Sequence, residues 1–126
     1  MLTEKQYAID LAQKNLSLVE QALPYIRDRK KAKALFHTFE RTLLFTKERK
    51  AVMQAVFGYR LWCKDAALRT TELQQSIWEG LERGDALIRA IESYPVHVSQ
   101  GQWRWHRDRE AFDYYWKAIT KEGWES

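Results

Sequence analysis

Apolar residues in the first part of the chain recur at spacings of three and four positions, as they do on one face of a helix. Ala8 and Leu11 begin this pattern, which predicts an amphipathic helix over about residues 4–23. Thr3 and Gln6 have the spacing of a capping box, in which the Thr hydroxyl and the Gln amide bond to free backbone N–H groups. We therefore expect the first helix to be capped at Thr3.

Pro24 separates the first predicted helix from the second, because proline lacks a backbone N–H and suits a first helical turn. The second helix is expected to run to about Phe45. Its apolar positions share one side, according to the helical period: Ala32, Leu35, Phe36, Phe39 and Leu43. The positions on the opposite side are basic: Lys30, Lys33, His37 and Arg41. The pattern predicts an amphipathic helix with a basic outer face.

A third helix is predicted from about Lys47 to Arg69, with Thr46 as its cap. It has two apolar flanks, which is typical of the central member of a helical bundle. Cys63 lies within one of these apolar stripes. A free cysteine in such a position is typically a buried, unreactive thiol.

Two shorter helices are predicted next. Thr70 or Thr71 is expected to cap a fourth helix that ends at Gly84, because glycine is common after the last turn of a helix. Asp85 is expected to cap a fifth helix, which closes before Pro95.

The segment Val96–Gly101 has the composition of a loop, and Ser99 with Gln102 forms a second candidate capping box. A last helix is predicted from there to about Lys121; alternatively, Trp103-Arg104-Trp105 is extended and this helix starts near Asp108. The chain is thus expected to be all-α, a single helical domain over residues 1–126 with five to six helices.

The composition is typical of a globular chain and indicates the cellular compartment in which we expect it. Of the 126 residues, 45% are hydrophobic and 30% are charged, with only five Gly and two Pro. The single cysteine excludes an internal disulfide, and one free thiol is simplest to keep in a reducing cytoplasm. No secretory signal and no run of roughly 18 uncharged apolar residues is found, so neither secretion nor a membrane span is expected.

The positive charge is concentrated in one part of the chain. Residues 1–63 carry 12 Lys and Arg against 6 Asp and Glu, whereas residues 64–126 carry 9 against 11. Within residues 27–50 there are nine basic and three acidic residues. The net charge of +4 is therefore the sum of a basic patch and a slightly acidic remainder.

The sequence lacks the motifs of several enzyme and metal-site classes. No Glu lies three residues before His37, His97 or His106, which excludes the di-iron bundle signature. The Arg-to-His spacing of helical HEPN ribonucleases, the zinc-binding motifs and the phosphate-binding glycine loop are also missing. We expect no catalytic residues, no metal, no cofactor and no enzymatic activity.

The basic face is the first candidate binding surface, because phosphates along a nucleic acid require fixed positive charge along one track. The candidate residues are Arg27, Lys30, Lys31, Lys33, His37 and Arg41. Two alternatives remain, an acidic protein partner and a basic face that only contacts solvent.

The second candidate surface is the segment at residues 103–109, in which aromatic residues alternate with arginines. Such a segment can stack bases, form a protein–protein contact or pack in the core. Trp62 also falls off the main apolar stripe of its helix, which favours a contact role. The candidate partner-binding residues are Trp62, Trp103, Arg104 and Arg107.

Both ends of the chain resemble a known family. The opening Leu2-Thr3-Glu4-Lys5-Gln6-Tyr7-Ala8 and the aromatic segment Glu110-Ala111-Phe112-Asp113-Tyr114-Tyr115-Trp116-Lys117 resemble the small helical subunits of CRISPR effector complexes of the Csm, Cmr and Cascade types. The resemblance implies a non-catalytic subunit that is repeated along a guide–target duplex and touches nucleic acid through basic helix faces.

Two functions are therefore expected. The first is a non-enzymatic helical subunit that binds RNA or single-stranded DNA together with the protein subunits of a larger complex. The basic first half and the acidic second half would also allow copies to associate head to tail. The alternative is a small helical inhibitor of phage or plasmid origin, of the anti-CRISPR or anti-defence type, that acts by protein–protein contact.

Overall fold

The computed structural model describes residues 2–93, 109–110 and 112–119, and these residues form four α-helices. They are α1 (Leu2–Ala22), α2 (Arg29–Lys64), α3 (Thr71–Glu92) and α4 (109–110 and 112–119). Single turns of 3-10 helix, Leu23–Tyr25 and Ala66–Leu68, follow α1 and α2. No strand occurs in the described ranges, which confirms the all-α class. The expected five to six helices are not found.

The two helices predicted around Thr46 are one helix of 36 residues, about 54 Å long. The expected cap at Thr46 is wrong, because its hydroxyl donates to the carbonyl oxygen of Leu43 at 2.8 Å, inside the helix. A threonine can bond back to the preceding turn in this way without ending a helix.

The helices predicted on either side of Gly84 are also one helix, α3. Gly84 does not end it; a Cβ added at Gly84 would lie 3.0 Å from Cε2 of Phe112, so α4 packs closely against this glycine. The carboxylate of Asp85 does not cap a helix either. It forms ion pairs with Arg89 and Arg109 instead.

Local rules predict one helix start and one helix end correctly. Thr70 caps α3 as expected, since its Oγ1 accepts from the backbone N–H of Leu73 at 3.1 Å. Pro24 ends α1 as predicted, but it belongs to a separate 3-10 turn and does not begin α2. The capping box at Thr3 is wrong: Thr3 lies inside α1, and the Gln6 amide donates to Asp10.

The helix α2 is the central element, and the other three helices pack along it. Its first half packs against α1 through a cluster that contains Ala12, Leu16 and Leu43. Its second half packs against α3 and α4. The buried residues of this larger cluster are Ala55, Ile77, Leu81, Ile88, Phe112 and Ile119.

The helices α2 and α3 approach each other closely at Gly80, which is buried. A Cβ added there would lie 2.7 Å from the carbonyl oxygen of Ala51 and 2.8 Å from the backbone nitrogen of Ala55. Only glycine allows the two backbones to come this close. Gly80 therefore determines the spacing of the central helix pair.

In the described ranges, no helix has an apolar stretch long enough to cross a membrane. The predicted loop Val96–Gly101 and the predicted cap at Ser99 and Gln102 lie outside the described residues. The helix α4 lies within the last predicted helix, which was expected to extend to about Lys121.

Candidate nucleic-acid interface

The start of α2 is held in place by two local interactions. Oδ1 of Asp28 accepts from the backbone N–H groups of Lys30 and Lys31 at 3.0 and 3.2 Å, which caps the helix. Nη1 of Arg29 donates to the carbonyl oxygens of Leu23 and Ile26 at 3.0 and 2.9 Å. These bonds fix the turn between α1 and α2, so the side chains that follow project from an ordered helix end.

Four of the six predicted basic residues are exposed at this helix end. We call them the basic cluster: Arg27, Lys30, Lys31 and Lys33. None of the four forms an ion pair with another described residue. The first turn of α2 contains no acidic residue. Lysines at this position are unfavourable for the helix itself, because the helix dipole repels cations near the N-terminus. The four cations of the cluster outnumber the single carboxylate at this helix end, Asp28, so the cluster presents a net positive charge to solvent.

The other two predicted basic residues are less accessible. His37 and Arg41 are half-buried, and the His37 ring lies edge-on to Phe36, with the ring centroids 5.7 Å apart. Nη1 of Arg41 has no access to solvent. The helical period does not show which residues of other elements cover a side chain, so it did not predict the partial burial of His37 and Arg41. The exposed basic face is therefore shorter than expected and is limited to the start of α2.

An aromatic residue missed by sequence analysis lies beside the basic cluster. Tyr25, in the 3-10 turn that precedes Arg27, is 86% exposed. An exposed ring next to cations is the arrangement that stacks an unpaired base while the cations contact phosphates. The available sequence signal was the position of Tyr25 directly after Pro24, at the expected break between helices.

The predicted partner-binding residues fall into two groups. Trp62, which was expected to be a contact residue, is half-buried and packs against the larger core cluster. The guanidinium of Arg69 lies 5.6 Å from the centroid of the Trp62 ring, and its Nε donates to the Trp62 carbonyl oxygen at 2.7 Å. Trp103, Arg104 and Arg107 lie outside the described residues.

Arg109, the last residue of the predicted aromatic–arginine segment, is committed to an internal ion cluster. Its Nε donates to Glu92 at 3.1 Å, and its Nη1 lies 3.4 Å from Asp85 and 3.3 Å from Asp113. The hydrogen bond to Glu92 is the main reason that the pKa of Arg109 is raised above its ordinary value. This guanidinium joins α3 to α4 and is not available for phosphate contacts.

The structure also bears on the expected absence of metal and thiol chemistry. Within the described ranges, no three His, Cys, Asp or Glu residues are placed to hold a metal ion. Cys63 is exposed near the end of α2, so the expectation of a buried thiol is wrong.

Lys47 and Lys50 do not continue the basic cluster, although they belong to the same basic stretch of sequence. They line a cleft where α2 meets α1 and α3. Lys50 comes 20 residues after Lys30 along the helix, a rise of about 30 Å. The basic residues of the stretch 27–50 are therefore divided between two separate places in the structure.

Comparison of the chain with protein-family models, with curated proteins and with solved structures finds no match.

Proposed function

We propose that the chain is a non-enzymatic, cytoplasmic helical subunit that binds nucleic acid within a larger complex of the CRISPR antiviral defence type. Its ligand is a single strand or a guide–target hybrid. The observation that carries the proposal is the basic cluster, with four exposed side chains that have no ion-pair partner among the described residues. The resemblance at the two ends of the sequence supports the type of complex.

The contact is made by side chains. Asp28 already accepts from the backbone N–H groups of Lys30 and Lys31, so these groups are not free to hold a phosphate oxygen. The flexible side chains of Lys30, Lys31 and Lys33 can instead reach phosphates along a backbone without reading its sequence. Stacking of a base on Tyr25 favours a strand with unpaired bases.

The proposed subunit also has a surface for protein contacts. Tyr7, Leu11 and Leu18 are 69%, 46% and 54% exposed and share the outer face of α1. Exposed apolar residues that are aligned on one helix face are typical of contact surfaces between proteins. This face supports membership of a complex.

Charge reversal tests the proposal. We expect Lys30→Glu/Lys33→Glu to weaken binding of labelled single-stranded RNA and DNA to a similar extent for every sequence, because phosphate contacts carry no sequence information. The measurement is fluorescence anisotropy at low salt. Lys14→Glu/Lys64→Glu is the matched control, since both lysines are exposed, Lys14 on α1 and Lys64 at the opposite end of α2 from the cluster.

Equal loss of affinity in both double variants would contradict a site at the basic cluster. Absence of binding by the wild-type chain would reject the nucleic-acid function. If the wild-type chain then retains a protein target that is lost on Trp103→Ala/Arg104→Ala, the inhibitor function replaces it.

A further inference from the structure

The helices α1, α2 and α3 enclose a cleft of about 340 Å³ where the start of α1 reaches the middle of α2. Each helix contributes residues from about one turn, so the lining is set by the packing of three separate elements. The residues that line it include Gln6, Ile9, Lys47, Lys50, Arg83 and Leu87.

The polar part of this cleft is positively charged. Lys47, Lys50 and Arg83 line it, and no carboxylate does. In the described part of the chain, none of these three cations forms an ion pair. Lys47 and Lys50 are half-buried, whereas Arg83 is exposed at the edge of the cleft.

The amide of Gln6 orients one of these cations. Its Oε1 accepts from Nζ of Lys50, and its Nε2 donates to Oδ1 of Asp10 at 2.8 Å. The carboxylate of Asp10 is thus bonded to the amide and not to the lysine. These two hydrogen bonds connect Asp10 to Lys50 through Gln6, and they position the Lys50 ammonium without neutralising its charge.

The three cations that line the cleft define the chemistry of the ligand. Arginine presents a planar fork that matches two phosphate oxygens, and each lysine adds a compact charge. Ile9 and Leu87 supply an apolar wall beside them. The volume is at the lower end of the roughly 300–1,000 Å³ of small-molecule sites, so the cleft suits a small ligand and not a polymer.

We propose that this cleft binds the phosphate group of a small phosphorylated ligand of the nucleoside monophosphate class. Lys47, Lys50 and Arg83 contact the phosphate oxygens, and the nucleoside lies against Ile9 and Leu87. The site is separate from the basic cluster at the start of α2. The proposal therefore does not depend on the nucleic-acid function.

Isothermal titration calorimetry with AMP, inorganic phosphate and adenosine tests the site. We expect AMP to bind and adenosine, which lacks the phosphate, not to bind. Inorganic phosphate that binds with the same sensitivity to substitution also supports the proposal, because the recognised group is the phosphate. No heat of binding with AMP at millimolar concentration would overturn it, whether or not phosphate binds.

Matched charge variants locate the binding. We expect Lys47→Gln and Arg83→Gln each to weaken AMP binding about tenfold or more, as loss of a charged phosphate contact does. Lys31→Gln removes the same charge from the basic cluster and should leave AMP affinity unchanged. An equal effect of Lys31→Gln would overturn the assignment, and circular dichroism of each variant establishes that it is folded.

The two proposals fail separately in these experiments. Lys47→Gln and Arg83→Gln alter no residue of the basic cluster, so loss of AMP binding with intact RNA binding leaves the nucleic-acid function in place. Loss of RNA binding on Lys30→Glu/Lys33→Glu with intact AMP binding leaves the cleft in place.

Discussion

Replacing Gly80 by alanine tests the close contact between α2 and α3. On an exposed helix this change stabilises a protein by about 1 kcal/mol, because alanine has the higher helix propensity. Here the new Cβ would lie 2.7 Å from the Ala51 carbonyl oxygen and 2.8 Å from the Ala55 nitrogen. Both atoms belong to the backbone of the central helix, so neither can move without moving α2.

The magnitude follows from the cost of overpacking. Inserting a methyl group into a filled interior costs about 1–3 kcal/mol, and the upper end applies because the clash is with backbone. Subtracting the gain in propensity leaves an expected loss of about 2 kcal/mol in the free energy of unfolding. Gly84→Ala should cost less, since its Cβ meets the Phe112 ring at 3.0 Å and a ring can shift.

Urea denaturation followed by circular dichroism measures this loss. Ala86→Gly is the control for helix propensity, because Ala86 is exposed in the same helix and should cost about 1 kcal/mol when replaced. A Gly80→Ala variant that is as stable as the wild-type chain, or more stable, would refute the close approach of the two helices.

Three further predictions follow from burial and charge. Ile77→Ala should lower the free energy of unfolding by about 2–5 kcal/mol in urea denaturation, because Ile77 is fully buried in the larger cluster; a loss below that of exposed Leu11→Ala would contradict this. Arg109→Gln should destabilise the chain at low salt and much less at about 1 M salt, where the screening length is about 3 Å, and a salt-independent loss would argue against the ion cluster. Cys63 should react with a thiol reagent in the native chain at a rate close to that of the denatured chain, and protection would contradict its exposure.

The helical class was predictable because the apolar spacing is repeated along most of the chain, whereas the helix count was not. Thr46 and Asp85 are residue types that favour helix starts, and both lie inside long helices. A side chain caps a helix only where the backbone leaves the helical conformation, which depends on packing. The sequence also predicts a helix end at Gly84, because glycine is common after the last turn of a helix. In the structure Gly84 lies inside α3 and leaves room for the ring of Phe112.

The candidate sites were predictable only where their residues belong to one stretch of helix. The exposure of Lys30 and Lys33 follows from the helical period, but the partial burial of Arg41 depends on neighbours that the period does not include. The cleft at Lys50 and Arg83 was not predictable, because it forms where residues of three helices meet. Arg109 was assigned to a binding segment because its acidic partners on α3 are distant in sequence.

The salt dependence of single-strand binding tests the central claim most directly. Each phosphate contact on a single strand contributes about −0.7 to the slope of log affinity against log salt concentration. If all four cations of the basic cluster contact phosphates, the wild-type slope should be about −3, and Lys30→Gln/Lys33→Gln should reduce it to about −1.5. A wild-type slope near zero, or a slope unchanged by the double substitution, would contradict binding of nucleic acid at the start of α2.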